Sequence, residues 1–281
     1  MSSTRDALHF PASDRAQIDD YLPSKTSIAA AQLKSLPHTT LTYATSMDSQ
    51  ITICPGIGSP ISGPASKAMT HYLRSKHDAI LIGVNTAIAD NPSLNCRLEG
   101  VGGYGGGDSL NGQPRPVIID PKGRWKFGKD NKIFGLVTDG RGKAPWIMTT
   151  EQENKISSET KEFLNAAGGK FIFLSPDQTG KFSWADILRA LWEEGIESLM
   201  IEGGAGIIND MLADGQRYID GVIVTIAPVW LGKGGVAVTP ERKNREKEAF
   251  RMREVNWIPL GEDVVCCGRV TSLQCESEVT I

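Results

Sequence analysis

The residues with chemistry to offer fall in three short stretches, each beside an apolar run. In SKHDAILIGVNTAIADNPSLNCR, residues 75–97, the strand-like AILIG leads to Asn85 and Thr86, then to Asp90, and the stretch ends on Arg97. Arginine carries the planar donor fork suited to bidentate recognition of a phosphate. Asp90 precedes it by seven residues, close enough for one loop to bring both to one mouth. In IEGGAGIINDML, residues 201–212, an apolar strand ends in Glu202 and small residues lead to Gly206 at the start of an amphipathic helix. Such a turn presents free backbone N–H groups at a helix N-terminus, which suits a phosphate or pyrophosphate. Glu202 has no packing reason to stand at a strand's carboxyl end, where ligands of open α/β sheets bind. In TSMDSQIT, residues 45–52, Thr45 and Asp48 follow a strand rich in Thr and Tyr, a pattern that ordinary Asx-turn chemistry also explains.

Taken singly, each residue has a plain rival. Asp90-Asn91-Pro92 is turn chemistry, Arg97 a solvated charge, and the glycines a tight packing turn. Gly204 and Gly206 nearly spell G-x-G-x-x-G, but Asn209 holds the third position. The next strand ends in Ile226-Ala-Pro with no acidic residue for a ribose, so the Rossmann pattern fails in its second half. G-x-x-x-x-G-K-[ST], G-x-S-x-G, H-E-x-x-H and the zinc-deaminase pattern are all absent. His71 and His77 flank one helix end and read as surface or packing residues, not as an acid–base pair. The five cysteines (54, 96, 266, 267, 275) form no C-x-x-C and no metal spacing with the histidines, so reduced structural thiols and no metal are expected.

The elements that must position these residues alternate. A helix over about 66–76 precedes the strand AILIG, followed by strands PVIID (116–120), PWIMTT (145–150), KFIFL (170–174) and SLMIE (198–202). Amphipathic SETKEFLNAAG and SWADILRALWEEG lie between them, the pattern of a largely parallel sheet covered by helices. After Asp220, DGVIVTIAPVWLG and VNWIPLGEDVVCCGRVTSL read as strands without helices, which predicts antiparallel pairing at one edge. Residues 1–40 read as a polar extension with a weakly helical run that packs on the main domain, and the main domain as 41–281. The glycine-dense segment 99–116 reads as a mobile surface loop or a lid.

A chain of 281 residues suits one large α/β domain or two small ones. Its 33 acidic and 30 basic residues leave a net charge of −3, with no field for steering onto nucleic acid or an anionic membrane. No apolar run approaches the length needed to span a bilayer, and the N-terminal stretch lacks a hydrophobic signal region, so a cytoplasmic protein is expected.

Together, TSMDSQIT, HYLRSKHDAILIGVNTAIADNPSLNCR, PVIID, SLMIEGGAGIINDML and DGVIVTIAPVWLGKGG resemble, in order, the diaminopyrimidine reductases of riboflavin biosynthesis, and most of all their stand-alone eukaryotic type. The patterns T-x-x-x-D-[ND]-P-x-L-x-x-R and E-G-G-x-x-x-N are both present, and the resemblance spans residues 41 to about 272. It implies an α/β, dihydrofolate-reductase-like fold: a mostly parallel sheet with helices on both faces and an antiparallel C-terminal edge. It implies NADPH as cofactor, a phosphorylated pyrimidine as substrate, and hydride delivery to the sugar C1′ of the ring-opened imine, in a homodimer. By resemblance, Thr45, Thr86, Asp90 and the run Gly203, Gly204, Ala205, Gly206, Ile207, Ile208 and Asn209 hold the cofactor. Arg74, Ser93, Leu94 and Arg97 face the substrate, the arginines toward its phosphate, and Glu202 is a substrate-facing, catalytic carboxylate. Asp48 is expected in a structural or proton-handling role. Ser49 stands where bacterial members usually carry glycine, and the lysine that often precedes that motif is absent. Two alternatives stay open at this point: a pterin- or folate-type reductase on the same fold, and a non-catalytic nucleotide-binding module.

Overall fold

The apolar runs AILIG, VII and SLMI are too uniformly hydrophobic for strands with one wet face, and they lie at the centre of a nine-stranded sheet. The computed structural model describes all residues except 1–6, 55, 57–60, 108, 151–155, 214, 242–250 and 271–281. The sheet is built from β1 (His38–Thr45), β3 (Ala79–Gly83), β4 (Arg115–Ile119), β5 (Trp146–Thr150), β6 (Lys170–Leu174), β7 (Ser198–Gly203), β8 (Gly221–Ile226), β10 (Met252–Leu260) and β11 (Asp263–Val270). Their order is β10-β11-β8-β1-β7-β3-β4-β5-β6. All pairings from β8 to β6 are parallel, and β11 pairs antiparallel with both β8 and β10. This is the mostly parallel sheet with an antiparallel C-terminal edge that the pattern predicts. Two short strands, β2 (Gln50–Thr52) and β9 (Val236–Ala237), pair separately.

Alternate residues of the central strands point to opposite faces, and each face carries helices. Ala79 and Leu81 of β3 pack with Leu188 and Leu191 of α7 (Trp184–Glu193) and Met211 of α8 (Ala205–Ala213). Ile80 and Ile82 pack on the other face with Ala87 of α4 (Val84–Asp90), Phe134 of α5 (Lys132–Thr138) and Leu164 of α6 (Ser158–Ala166). α3 (Pro64–Ser75) adds Met69, Tyr72 and Leu73 to a third cluster beneath β8 and β11.

The described residues ahead of β1 fold onto the core: Phe10 and the end of α1 (Ala12–Ile18) are buried against α3, and α2 (Lys25–Gln32) follows with a Ser24 capping box. Three features differ from expectation. β1 begins at His38, ahead of the main-domain start expected at 41. α5 has no counterpart among the expected helices, because KIFGLVT is too short and too evenly apolar to show a helical period. Finally, 99–116 is packed where a mobile loop or lid was expected. Val101 and Tyr104 are buried, and the side chain of buried Gln113 donates to Cys96 O and Gly102 O while accepting from Cys96 N–H. The end of the expected last strand, residues 271–273, and Cys275 lie outside the described residues; the other four cysteines are free thiols.

Candidate active site

β3 and β7 are neighbours in register, Ile82 opposite Gly203, so the helices that follow them, α4 and α8, start side by side at the carboxyl ends of the sheet. The connection from β7 into α8 is sharp. Gly203 has φ +104 and is joined to Gly204 by a cis peptide, and a Cβ on Gly203 would stand 2.6 Å from Ile208 Cδ1. The positive φ of Gly203 is the backbone conformation that favours glycine. The Gly204 N–H donates to Thr86 Oγ1 at 2.7 Å, so the first turn of α4 holds the turn of α8. The first intrahelical bond of α8 is Ile208 N–H to Gly204 O, which leaves the N–H groups of Ala205 to Ile207 without helical acceptors. A Cβ on Gly206 would meet nothing within 4 Å. Open space over unpaired N–H groups at a helix start fits a pyrophosphate, so the residues present fit the cofactor that the motifs imply.

Not every member of 203–209 faces that space. Ile208 is buried in the core and Ile207 packs against it, so this stretch presents backbone there and not its apolar side chains. The Asn209 amide is turned away as well, donating to Ala237 O at 3.1 Å. Thr45 is buried with its hydroxyl on Ser46 O and Gln50 O. Asp90, the last residue of α4, lies one turn beyond Thr86 on the same helical face. Burial raises its carboxyl above the usual value, with Lys132 opposing.

Glu202, one residue before the turn, is held by Arg74 of α3. Nε and Nη2 of the guanidinium donate to Oε1 and Oε2 at 2.7 Å each, and Nη1 donates to Asn95 O at 3.0 Å. Burial works against the Arg74 charge, but Glu202 outweighs it and the guanidinium titrates above its ordinary range. The expectation of two phosphate-seeking arginines therefore divides. Arg74 is committed to Glu202, whereas Arg97 has no ion-pair partner among the described residues and lines an open cavity with Ser93, Asn95 and Tyr104. Leu94, expected at the substrate, has φ +50 and is buried among Val84, Ala87 and Phe134. Its part is to anchor the loop that presents Ser93 and Arg97.

Asp48 behaves as a staple. It accepts Ser46 Oγ–H at 2.5 Å and the N–H groups of Leu231 and Gly232 at 3.1 and 2.8 Å. The Ser46 bond leads in lowering its pKa, and a carboxyl held ionised is a poor proton donor. Both histidines are packing residues. His71 Nδ1 accepts the Arg97 N–H at 3.0 Å, and burial beside the Arg74 and Arg97 charges pushes its pKa down to about 2. His77, bonded to Leu73 O and Thr40 Oγ1, is pushed down to about 4 by burial.

Sequence spacing missed Asn95, Tyr104, Lys132 and Arg141 around the cavity. No motif links them, because three separate loops and helices bring them together.

A sheet of this order, with its antiparallel edge and ligand-ready turns at the ends of β3 and β7, is the dihydrofolate-reductase-like fold. The model of the RibD C-terminal domain family matches residues 37–266, and the chain belongs to that family. It is 39% identical over 261 residues to the 2,5-diamino-6-ribosylamino-4(3H)-pyrimidinone 5′-phosphate reductase of Debaryomyces hansenii, covering 92% of this chain and 96% of the relative. The protein of the same name from Saccharomyces cerevisiae is 34% identical, at 90% and 93% coverage. The solved structure of the riboflavin biosynthesis reductase Rib7 of that yeast superposes with a TM-score of 0.70 at 31% identity, over 92% of this chain and 99% of Rib7.

Proposed function

We propose that the chain reduces 2,5-diamino-6-ribosylamino-4(3H)-pyrimidinone 5′-phosphate to its ribitylamino counterpart in riboflavin biosynthesis, with NADPH as reductant and hydride delivered to the sugar C1′. One observation carries this reading: the Arg74–Glu202 pair lies one residue from the Thr86-pinned glycine turn, so substrate and cofactor positions meet at the carboxyl end of one strand. The reduced nicotinamide supplies the hydride when bound. The chain's own part is positional. The N–H groups at the start of α8 hold the pyrophosphate, with Thr86 and Asp90 beside the cofactor on α4. Glu202, held in place by the Arg74 fork, accepts hydrogen bonds from the substrate and fixes the ribose chain, and Arg97 with Ser93 takes its phosphate. The preference for NADPH over NADH rests on the family resemblance. A cytoplasmic homodimer is part of the same reading, supported by the free thiols and by Val255 and Trp257 exposed on edge strand β10.

The test is an anaerobic assay of the purified chain that follows NADPH absorbance with the diaminopyrimidine phosphate, NADH and dihydrofolate run in parallel. Expected is oxidation with the diaminopyrimidine alone and a product two hydrogens heavier by mass spectrometry. Turnover of dihydrofolate, or cofactor binding with no oxidation on addition of either substrate, overturns the reading. Asp90→Asn and Glu202→Gln are each expected to reduce turnover while far-ultraviolet circular dichroism stays unchanged.

A further inference from the structure

The cavity beside Arg97 has a volume of about 230 Å³ and is lined by residues from three segments. The loop after α4 supplies Ser93, Asn95 and Arg97, the glycine-rich loop supplies Tyr104, and α5 with the turn after it supplies Lys132, Asp139 and Arg141. Three cationic side chains against one carboxylate leave two positive charges at neutral pH, the complement of a phosphomonoester dianion.

Asn95 ties the walls together. Its Nδ2 donates to Tyr104 OH at 2.9 Å and to Arg141 O at 3.0 Å, and its backbone O receives Arg74 Nη1. Its Oδ1 is buried without a partner among the described residues. A buried amide oxygen in that position costs stability until a donor reaches it. The loop is shaped to close this wall. Gly103 has φ +78, and a Cβ there would stand 2.9 Å from Arg141 Cα, so only glycine lets the loop rest on the Arg141 turn. The Arg141 guanidinium is ion-paired to Asp139 and lies 6.0 Å from the centre of the Tyr104 ring, which keeps it on the cavity wall.

We propose that Lys132 and Arg141, together with the Asn95 amide, form the specificity pocket for the phosphorylated end of an acyclic sugar. Arg141 and Lys132 are a second and third phosphate cation beside Arg97, and Asn95 Oδ1 takes a hydrogen bond from a neighbouring sugar hydroxyl. This assignment rests on the reductase reading for the substrate's identity. It extends that reading to residues that no motif marks, and it makes discrimination between phosphorylated and unphosphorylated substrate a property of α5 and the turn after it.

The test uses the whole chain, wild type against Arg141→Gln and Lys132→Gln, with thermal unfolding as the check on folding. Expected is a KM for the phosphorylated substrate about tenfold or more higher in each variant, the loss of one charge-assisted contact, with kcat within about twofold. Turnover of the 5′-dephosphorylated substrate is expected to be equal in all three proteins, a readout that a merely structural role would not leave unmoved. Calorimetric titration with ribose 5-phosphate and inorganic phosphate, without cofactor, gives the second readout. Ribose 5-phosphate is expected to bind wild type more tightly than inorganic phosphate and to bind both variants about tenfold more weakly. An unchanged KM and unchanged ribose 5-phosphate affinity in both variants overturns the pocket while leaving the reductase reading intact. Equal affinities for inorganic phosphate and ribose 5-phosphate overturn the role given to Asn95. Ribose 5-phosphate binding that depends on Arg141, in a chain that never oxidises NADPH with the diaminopyrimidine, upholds the pocket and overturns the reductase reading.

Discussion

Replacing Arg74 by methionine separates what holds Glu202 from what Glu202 does. Nε, Nη2 and Nη1 make bonds of 2.7, 2.7 and 3.0 Å to Glu202 and Asn95 O, and the two side chains are only 13% and 17% exposed. Removing one member of a fully buried pair costs about 3–5 kcal/mol, because the other charge is left desolvated and alone. Partial solvent access places this pair at the lower end, about 3 kcal/mol. Glu202→Gln keeps an acceptor but loses the charge, and about 1–2 kcal/mol is expected. The double change Arg74→Met with Glu202→Gln removes both charges, so much of the stability should return, a coupling of about 1.5–3 kcal/mol against the two single changes. Urea unfolding reads these values as midpoint shifts at constant slope. Turnover should stay lost in the double variant, since its carboxylate is gone. A single Arg74→Met variant within about 0.5 kcal/mol of wild type would refute the packing argument. Recovery of turnover in the double variant would refute the role of Glu202.

Thr86→Val is close to isosteric and strips the acceptor from the Gly204 N–H; it should cost about 1–3 kcal/mol. It should also weaken NADPH binding about tenfold in a fluorescence titration, and an unaltered Kd would disconnect the glycine turn from the cofactor. Asp48→Asn should change kcat by less than about threefold, because the carboxylate is a staple; a loss of about a hundredfold, the size of a general-acid contribution, would restore a proton-handling role. His71 and His77 set an acid limit. Their pKa values are about 2 and about 4 in the folded chain and 6.5 unfolded, so below 6.5 the unfolded chain binds protons that the native chain does not. Stability is fully present above about pH 6.5 and falls as the pH drops toward 4, with a slope approaching about 2.7 kcal/mol per pH unit for two protons. Urea midpoints at pH 7 and 5 that coincide would show that these histidines are not buried neutral.

Much of the sheet was legible, for a local reason. AILIG, PVIID and SLMIE are bounded, largely apolar runs, and a parallel strand buried on both faces has no other way to look. The β7–α8 turn was legible because close approach admits few residues but glycine, and Glu202 because a carboxylate at the end of such a run has nothing to pack against. α5 was hidden by its short, evenly apolar sequence. The ordered state of 99–116 was hidden because its fixing bonds come from Gln113, Cys96 and Asn95, which composition does not count.

What the sequence determined by itself is therefore the periodic part: strand and helix types, the antiparallel edge, and the order of the motif residues along the chain. Tertiary structure alone decided the partners. It gave Arg74 to Glu202 across 128 residues and left Arg97 open, it turned Leu94 and Ile208 into the core, and it set Lys132 and Arg141 beside Asn95. Periodicity records which face of an element is buried. It carries no information about which distant element will cover that face, and there the site is made.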